Sequence, residues 1–464
     1  MDDIKKEKKL IEALDKIENN ESELLAWGDV EVFSSRAEIE SCIKETGVSD
    51  FYIAELFQAL LKRCFIFHVG NQQYRSRMAE TVRLQVLSRQ WFGNQNVEDA
   101  KPLISDFRFI KRARQYPKRD QNAQSLIADW TQSRLLKSGN EKTILSNLLR
   151  NGDKWFELSG FQVRSTERIL EKFEDHKSKY TRNASATIVC AGTGSGKTLS
   201  FYLPAMTKLA SELLQNDDKR VRILAIYPRK ELLKDQFAET YKEARKLDKY
   251  LQSQGKRKIT IGTYYGDTLW ESPDSEGKEF KPMVCPQSKC SGTLRYSKEK
   301  KLAVCESCNT YLESDEVLVT KQSTQKSPPD ILFTTTEMLN QNLSNDSCNN
   351  LFGVNNNSVA IPLVLLDEVH TYEGSSGAQT SYLLKRWMKF TGIKPHFVGL
   401  SATLADAKSF FSDLTGTNPR HTELIESFDK ELEEEGAEYL LALRGDPASQ
   451  TGLLSATIQA TMLG

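Results

Sequence analysis

From residue 155 onward, short apolar runs alternate with stretches of helical spacing. Ala186-Thr187-Ile188-Val189-Cys190 is apolar and β-branched enough to read as a buried strand. Residues 199–214 then repeat at helical spacing and end in Gln215-Asn216-Asp217-Asp218. Residues 221–227, 258–265, 330–333, 361–366 and 397–400 read as further buried strands, and a helix is predicted from about 230 to 250. Strands that are apolar throughout and separated by helices predict an α/β fold, a parallel sheet covered on both faces. Before residue 150 the pattern is mostly helical. Ile4, Leu10, Ile11, Leu14, Ile17, Leu24 and Leu25 fall near one helical face, and residues 50–67 and 74–92 are two further helix candidates. Trp155 to Gln162 leads into another helix that runs to Phe173, and a polar stretch follows to Asn183.

Composition narrows this only a little. The chain has 464 residues, room for roughly three domains. Its 63 basic and 63 acidic residues cancel, so any nucleic-acid binding must come from local patches. One such patch is Phe107-Arg108-Phe109-Ile110-Lys111-Arg112-Ala113-Arg114-Gln115-Tyr116-Pro117-Lys118-Arg119. It reads either as a phosphate- and base-contacting surface or as a solvated face paired with nearby acids. The charged start, Met1 to Lys9, has no apolar signal core, and no apolar run approaches the roughly 18 residues of a membrane span. A cytoplasmic location without membrane contact is expected, in which the eight cysteines stay reduced.

The candidate chemistry begins at Ala191-Gly192-Thr193-Gly194-Ser195-Gly196-Lys197-Thr198, placed between a predicted strand and a predicted helix. That context suits a phosphate-binding loop. Its glycines let several N–H groups point at one anion, and the helix start adds a positive dipole end. Lys197 is expected on the β- and γ-phosphates of ATP and the Thr198 hydroxyl on Mg²⁺. Leu363-Val364-Leu365-Leu366-Asp367-Glu368-Val369-His370 is an apolar strand that ends in two carboxylates. At the carboxyl end of a parallel strand they face the ligand crevice. Asp367 is expected to hold the metal and Glu368 to orient and deprotonate the attacking water, with Lys197 completing the catalytic set. Taken alone, two acids at a strand end would more often merely cap the next element, and it is the phosphate-binding loop beside them that favours the metal-site reading.

These residues, with others in the same order, resemble superfamily 2 helicases of the DEAD/DEAH-box type, and Tyr265-Gly266-Asp267-Thr268 and the style of motif Ia resemble the Lhr/YprA-like branch of DNA helicases. Phe161-Gln162 resembles the Q-motif, which implies that Gln162 reads the adenine. Residues 191–198 match motif I in its AxTGSGKT form, which accounts for Ala191 where a generic loop has glycine. Tyr227 to Gln236 is similar to motif Ia, Thr334 to Leu339 to motif Ib, residues 367–370 to motif II and Ser401-Ala402-Thr403 to motif III. The resemblance implies a RecA-like lobe over residues 151–425, nucleic-acid contacts at Arg229, Lys230 and Thr335, and coupling of hydrolysis to movement through Ser401 and Thr403. It implies DNA rather than RNA as partner, and an ATP-dependent helicase or translocase as activity. A helical domain at 1–150 precedes the lobe, with protein partners expected at its helices. Residues 426–464 are expected as a linker towards a second lobe whose arginine-bearing motif this chain does not show, as in the N-terminal part of a longer helicase. The alternatives are an ATP-binding scaffold that does not hydrolyse, and an RNA helicase.

Between Lys197 and Asp367 the chain is long for one lobe. The excess holds Cys285 and Cys290 with four residues between them, then fourteen residues, then Cys305 and Cys308 with two residues between them. Two cysteine pairs around a hairpin-sized spacer point to a zinc ribbon at 270–325, with Zn²⁺ closed in by four thiolates. The ribbon is a second candidate surface for protein partners. An iron–sulfur cluster also suits four thiolates, and the hairpin spacing favours zinc.

Overall fold

The computed structural model describes residues 3–90, 100–176, 183–192, 194–287, 289–354, 361–402, 404–446, 457 and 461. By internal contacts the chain divides into two compact units, residues 1–115 with 434–464, and residues 116–433.

The larger unit is built on an eight-stranded sheet. Its strands, numbered along the chain, are β1 Ser185–Cys190, β2 Ile223–Tyr227, β3 Ile261–Tyr264, β4 Val317–Leu318, β5 Ile331–Thr335, β6 Leu363–Leu366, β7 His396–Ser401 and β8 Thr422–Glu426. In space they lie in the order β4-β3-β5-β2-β6-β7-β1-β8, and every neighbouring pair is parallel. All residues of β1, β2, β3, β6 and β7 are buried, as their unbroken apolar runs require. The helices Gly160–Asp175, Lys197–Gln215 and Ala407–Thr415 pack on β1, and Lys230–Arg245 packs on β2 and β5. Two strands escape the sequence pattern. β4 has only two residues, and β8 is an edge strand, Thr422-Glu423-Leu424-Ile425-Glu426, in which only Thr422 and Ile425 are buried and no apolar run marks it.

Two boundaries differ from the expected ones. The helices Ala123–Gln132 and Gly139–Leu148, grouped by sequence with the N-terminal region, bury Ile127, Trp130, Ile144, Leu145 and Leu148 in the same core as the sheet. Residues 432–445, expected as linker, form a strand, Leu432–Gly445, that pairs with Ile104–Pro117. Its Leu441 packs against a cluster that includes Phe109 and Leu25, an apolar anchor that a linker lacks.

The smaller unit holds the helices Asp3–Ala26, Arg36–Lys44, Ile53–Lys62 and Arg77–Val86 and an antiparallel three-stranded sheet. Leu10, Ala13 and Ile17 of the first helix enter its core with Ile39, Ile43, Leu56, Phe57 and Leu60, whereas Ile11 and Leu24 are exposed. The basic stretch is the strand Ile104–Pro117. Its Lys111 is buried against Asp15 and Glu18, and Arg112 pairs with Glu438 of the partner strand.

Candidate functional site at the carboxyl edge of the sheet

A parallel sheet brings all its carboxyl ends to one edge. Here the register sets Cys190 beside Ser401, Tyr227 beside Thr335, and Ile226 beside Leu366. The segments that resemble motifs I, Ia, Ib, II and III therefore start from the same edge. This placement follows from strand order, and no spacing in the sequence contains it.

β1 runs out at Cys190, and the chain turns through the glycine-rich loop into the helix Lys197–Gln215. Gly196 is the cap of that helix, with φ of 85° in the left-handed region. A Cβ there would lie 2.7 Å from the Gln162 Nε2, so the position needs glycine for both backbone and space. The Gln162 Nε2 donates to the Gly196 carbonyl (3.0 Å), and its Oε1 accepts from the Ser159 N–H (3.0 Å). Gln162 thus fastens the start of its own helix to the loop. The Ser195 hydroxyl donates to the Gly192 carbonyl (2.7 Å), and the Lys197 Nζ donates to the Ala191 carbonyl (2.7 Å). Burial pulls the Lys197 ammonium below the usual lysine range, against the attraction of Glu368 and Asp367. Gly192, Gly194, Ser195, Gly196, Lys197 and Thr198 are thus one turn of chain, and Thr193 lies outside the described residues.

Asp367 follows β6 and is buried. Its Oδ1 accepts from the Glu368 N–H (2.8 Å). Burial pushes its carboxyl up to about 6, the Glu368 N–H opposes this, and the Glu368 charge adds to it. A carboxylate this costly to ionise is relieved by a nearby cation, which is how metal-holding sites are built. Glu368 holds φ of 48°, outside the usual range for a non-glycine residue; such a conformation costs on the order of 1 kcal/mol. Its Oε2 lies 3.3 Å from the His370 Nδ1, and the Ser401 hydroxyl lies 3.5 Å from the same nitrogen. His370 therefore stands between Glu368 and the segment that resembles motif III. Thr403 lies outside the described residues.

Gln236 escaped the sequence reading as a site residue. Its Nε2 donates to the Thr198 hydroxyl (3.3 Å), which ties the helix Lys230–Arg245 to the loop. The Tyr202 and Tyr227 hydroxyls lie 3.4 Å apart in the core, and the buried Tyr372 hydroxyl has no hydrogen-bond partner among the described residues. The charge of Asp367 helps hold all three phenols above the usual tyrosine range, after burial itself. Nothing in the local sequence around these tyrosines distinguishes them from ordinary core residues.

Of the residues expected on nucleic acid, Arg229 caps the helix Lys230–Arg245 and is exposed. Lys230 lies 3.4 Å from Asp267. Thr335 caps the helix Thr336–Asn342, its hydroxyl accepting from the Met338 N–H (3.3 Å). Beside them a cavity of about 810 Å³ is lined by Pro228, Thr336, Asn340, Gln379, Tyr382 and Arg386, among others.

The cysteine insertion lies between β3 and β4. The strands Leu294–Ser297 and Leu302–Cys305 form an antiparallel hairpin. The Cys285 and Cys308 sulfurs are 3.5 Å apart, those of Cys290 and Cys305 3.7 Å, and all four lie within 4.8 Å of one another. A tetrahedron of roughly 2.3 Å zinc–sulfur bonds has edges of about 3.8 Å, so the set fits the ion. A Cβ on Gly292 would lie 2.7 Å from the Cys305 Sγ, so the chain closes tightly around the thiolates. Among the described residues, no helix is long and apolar enough to cross a membrane.

Residues 174–267 match the family model for the DEAD/DEAH box helicase. The Druantia protein DruE of Escherichia coli (strain UMEA 4076-1) is 25% identical over an alignment of 296 residues, which covers 51% of this chain and 16% of the relative. Among solved structures, the DUF1998 helicase MrfA bound to DNA is 19% identical with a TM-score of 0.43, over 75% of this chain and 32% of the other. The DEAD-box helicase Mss116 bound to ssRNA and UDP-BeF is 15% identical with a TM-score of 0.41, over 68% and 47%. This chain thus spans a minor share of DruE and MrfA.

Proposed function

We propose that this chain, which carries a DEAD/DEAH box helicase segment, supplies the ATP-hydrolysing first lobe of a nucleic-acid helicase or translocase. The observation that supports this best is the convergence of Lys197, Thr198, Asp367 and Glu368 on one edge of a parallel sheet, with His370 joining Glu368 to Ser401. In this reading Lys197 and the loop N–H groups hold the phosphates, Thr198 and Asp367 hold Mg²⁺, and Glu368 orients the attacking water and takes its proton. The ion supplies charge neutralisation on the transferring phosphoryl group. Gln236 sets the Thr198 hydroxyl, and Gln162, whose amide bonds Ser159 and Gly196, keeps the loop in place and in this reading contacts the adenine. Arg229, Lys230 and Thr335 contact the nucleic-acid backbone, which we take to be DNA because the motif Ia style and Tyr265 to Thr268 resemble the Lhr/YprA-like branch. An arginine brought to the γ-phosphate by a second lobe would raise the rate further. Zinc rigidifies the ribbon, with no open position for chemistry.

Steady-state ATP hydrolysis, measured with and without single-stranded DNA and RNA of one sequence, tests this. Stimulation is expected with DNA above RNA, and Glu368→Gln should lower it by roughly a hundredfold or more while nucleotide binding persists. Binding without turnover under every nucleic acid would make the chain a nucleotide-gated scaffold. Greater stimulation by RNA would reverse the choice of partner.

A further inference from the structure

One arginine near the loop belongs to none of the recognised segments. The Arg119 Nη2 stands 3.7 Å from where a Cβ would sit on Gly196, next to the Gln162 Nε2 at the same point. Arg119 is exposed, and no hydrogen bond or ion pair joins it to another of the described residues. Its neighbour Asp120 accepts instead from the Gln121 Nε2 (2.8 Å).

The backbone on either side of Arg119 is nonetheless held. The Lys118 N–H donates to the Glu431 carbonyl (2.7 Å), and the Lys118 Nζ donates to the Lys430 carbonyl (3.1 Å). The Glu431 carboxylate is gripped by the Arg164 guanidinium (2.6 and 2.9 Å), on the same helix as Gln162. After it, Gln121 and Asn122 pair with Leu158 and Glu157, just before that helix begins. A short segment pinned at both ends therefore presents one free guanidinium at the rim of the loop.

The charges around it are of one sign. The start of the helix Lys197–Gln215 carries a partial positive charge, Lys197 adds a full one, and Arg119 adds a second. Three positive groups converge favourably only on an anion, and a guanidinium presents paired donors suited to phosphate oxygens. We infer that Arg119 binds the phosphate chain of the nucleotide from the Gln162 side of the loop, as a binding residue supplied from outside the glycine-rich segment. The inference rests on the nucleotide-site reading above. It takes Arg119 out of the basic stretch as a nucleic-acid contact and gives it to the nucleotide.

The test measures equilibrium binding of ATP, ADP and adenosine to the full chain, to Arg119→Ala and to Lys197→Ala. Arg119→Ala is expected to weaken ATP and ADP about tenfold, to leave adenosine unchanged, and to flatten the dependence of ATP affinity on salt. Arg119→Lys should recover part of the loss. The side chain is exposed, so an unchanged thermal melting curve is expected; should Arg119→Ala melt early, Arg119→Gln carries the comparison. If Lys197→Ala loses ATP while Arg119→Ala binds it as the unsubstituted chain does, the nucleotide site stands and the role of Arg119 falls. Equal loss for adenosine would assign Arg119 to the base and overturn the phosphate contact. Weakened single-stranded DNA binding with ATP affinity intact would return Arg119 to the nucleic-acid surface. No ATP binding by the unsubstituted chain would remove the nucleotide site and Arg119's role together.

Discussion

Several ionisable side chains buried in the sheet-bearing unit have a partner that takes the charge or the proton. Lys208 lies wholly inside, paired with Glu141 (2.7 Å) and Glu174 (3.3 Å). Asp330 is buried between Arg222 and Arg257. The two buried histidines make no ion pair among the described residues and use a chain of hydrogen bonds. The His176 Nδ1 faces the Lys394 carbonyl (2.5 Å), which can only accept, so His176 donates there and its Nε2 must accept from the Ser185 hydroxyl (2.6 Å). The His396 Nδ1 must then donate to the Ser185 oxygen (2.7 Å), and its Nε2 accepts from Thr187 (3.1 Å). Every proton in the chain is placed, and none can be added without breaking a bond. Burial holds both imidazoles below the usual histidine range; the Lys394 carbonyl and the Asp175 charge oppose this at His176, and the Arg168 and Lys172 charges add to it at both. The folded unit therefore keeps both neutral, while the unfolded chain takes up protons below about pH 6.5. The stabilisation is complete above that pH and is lost as pH falls, by up to about 1.4 kcal/mol per pH unit for each histidine. Urea midpoints at pH 7.5, 6.5 and 5.5 should fall below the middle value; a flat profile would sink the argument. Of these two residues the sequence says only that they are histidines, because their burial comes from strands far apart in the chain.

At the scale of elements, local signals were clear wherever a segment folds against its immediate neighbours. The loop between β1 and its helix, the cysteine hairpin and the apolar strands were all legible, since each is specified by residues a few positions apart. Motif-bearing strand ends were legible for the same reason. The edge strand β8 was not, since it carries no apolar run, and the strand Leu432–Gly445 was not, since its half-exposed run Tyr439 to Leu443 follows the acidic, exposed Glu433, Glu434 and Glu435. The basic stretch 107–119 read equally as a nucleic-acid surface or a paired face, and only the tertiary structure showed Lys111 in ion pairs with the first helix and Arg112 in one with the paired strand. The hairpin carries its own prediction. With one zinc held by four thiolates, Cys305→Ser should lose bound metal and loosen residues 285–308, as read by metal analysis and by hydrogen exchange of Leu294 to Cys305. Undiminished zinc in that variant would exclude Cys305 as a ligand.

At the scale of the molecule, the extent of the folding unit departs most from the sequence reading. A chain trimmed to begin at residue 151, the expected start of the lobe, would lose Trp130, Ile144, Leu145 and Leu148 from the core. At roughly 1.5–3 kcal/mol for each buried apolar side chain, that is on the order of the whole stability of a domain. Glu141 would go with them and leave Lys208 with Glu174 alone. Residues 116–433 should therefore unfold cooperatively and residues 151–433 should not, as followed by circular dichroism in urea; matching transitions for the two would refute this. The sequence by itself determined the α/β class, the phosphate loop, the acidic strand end and the cysteine set, because each depends on residue types at short spacing. Tertiary structure alone decided that the sheet edge gathers Thr198, Gln236, Asp367, His370 and Ser401, that residues 123–148 share the core of the sheet, and that Arg119 stands at the loop. These depend on strand order and on packing between residues tens to hundreds of positions apart, which no local pattern encodes.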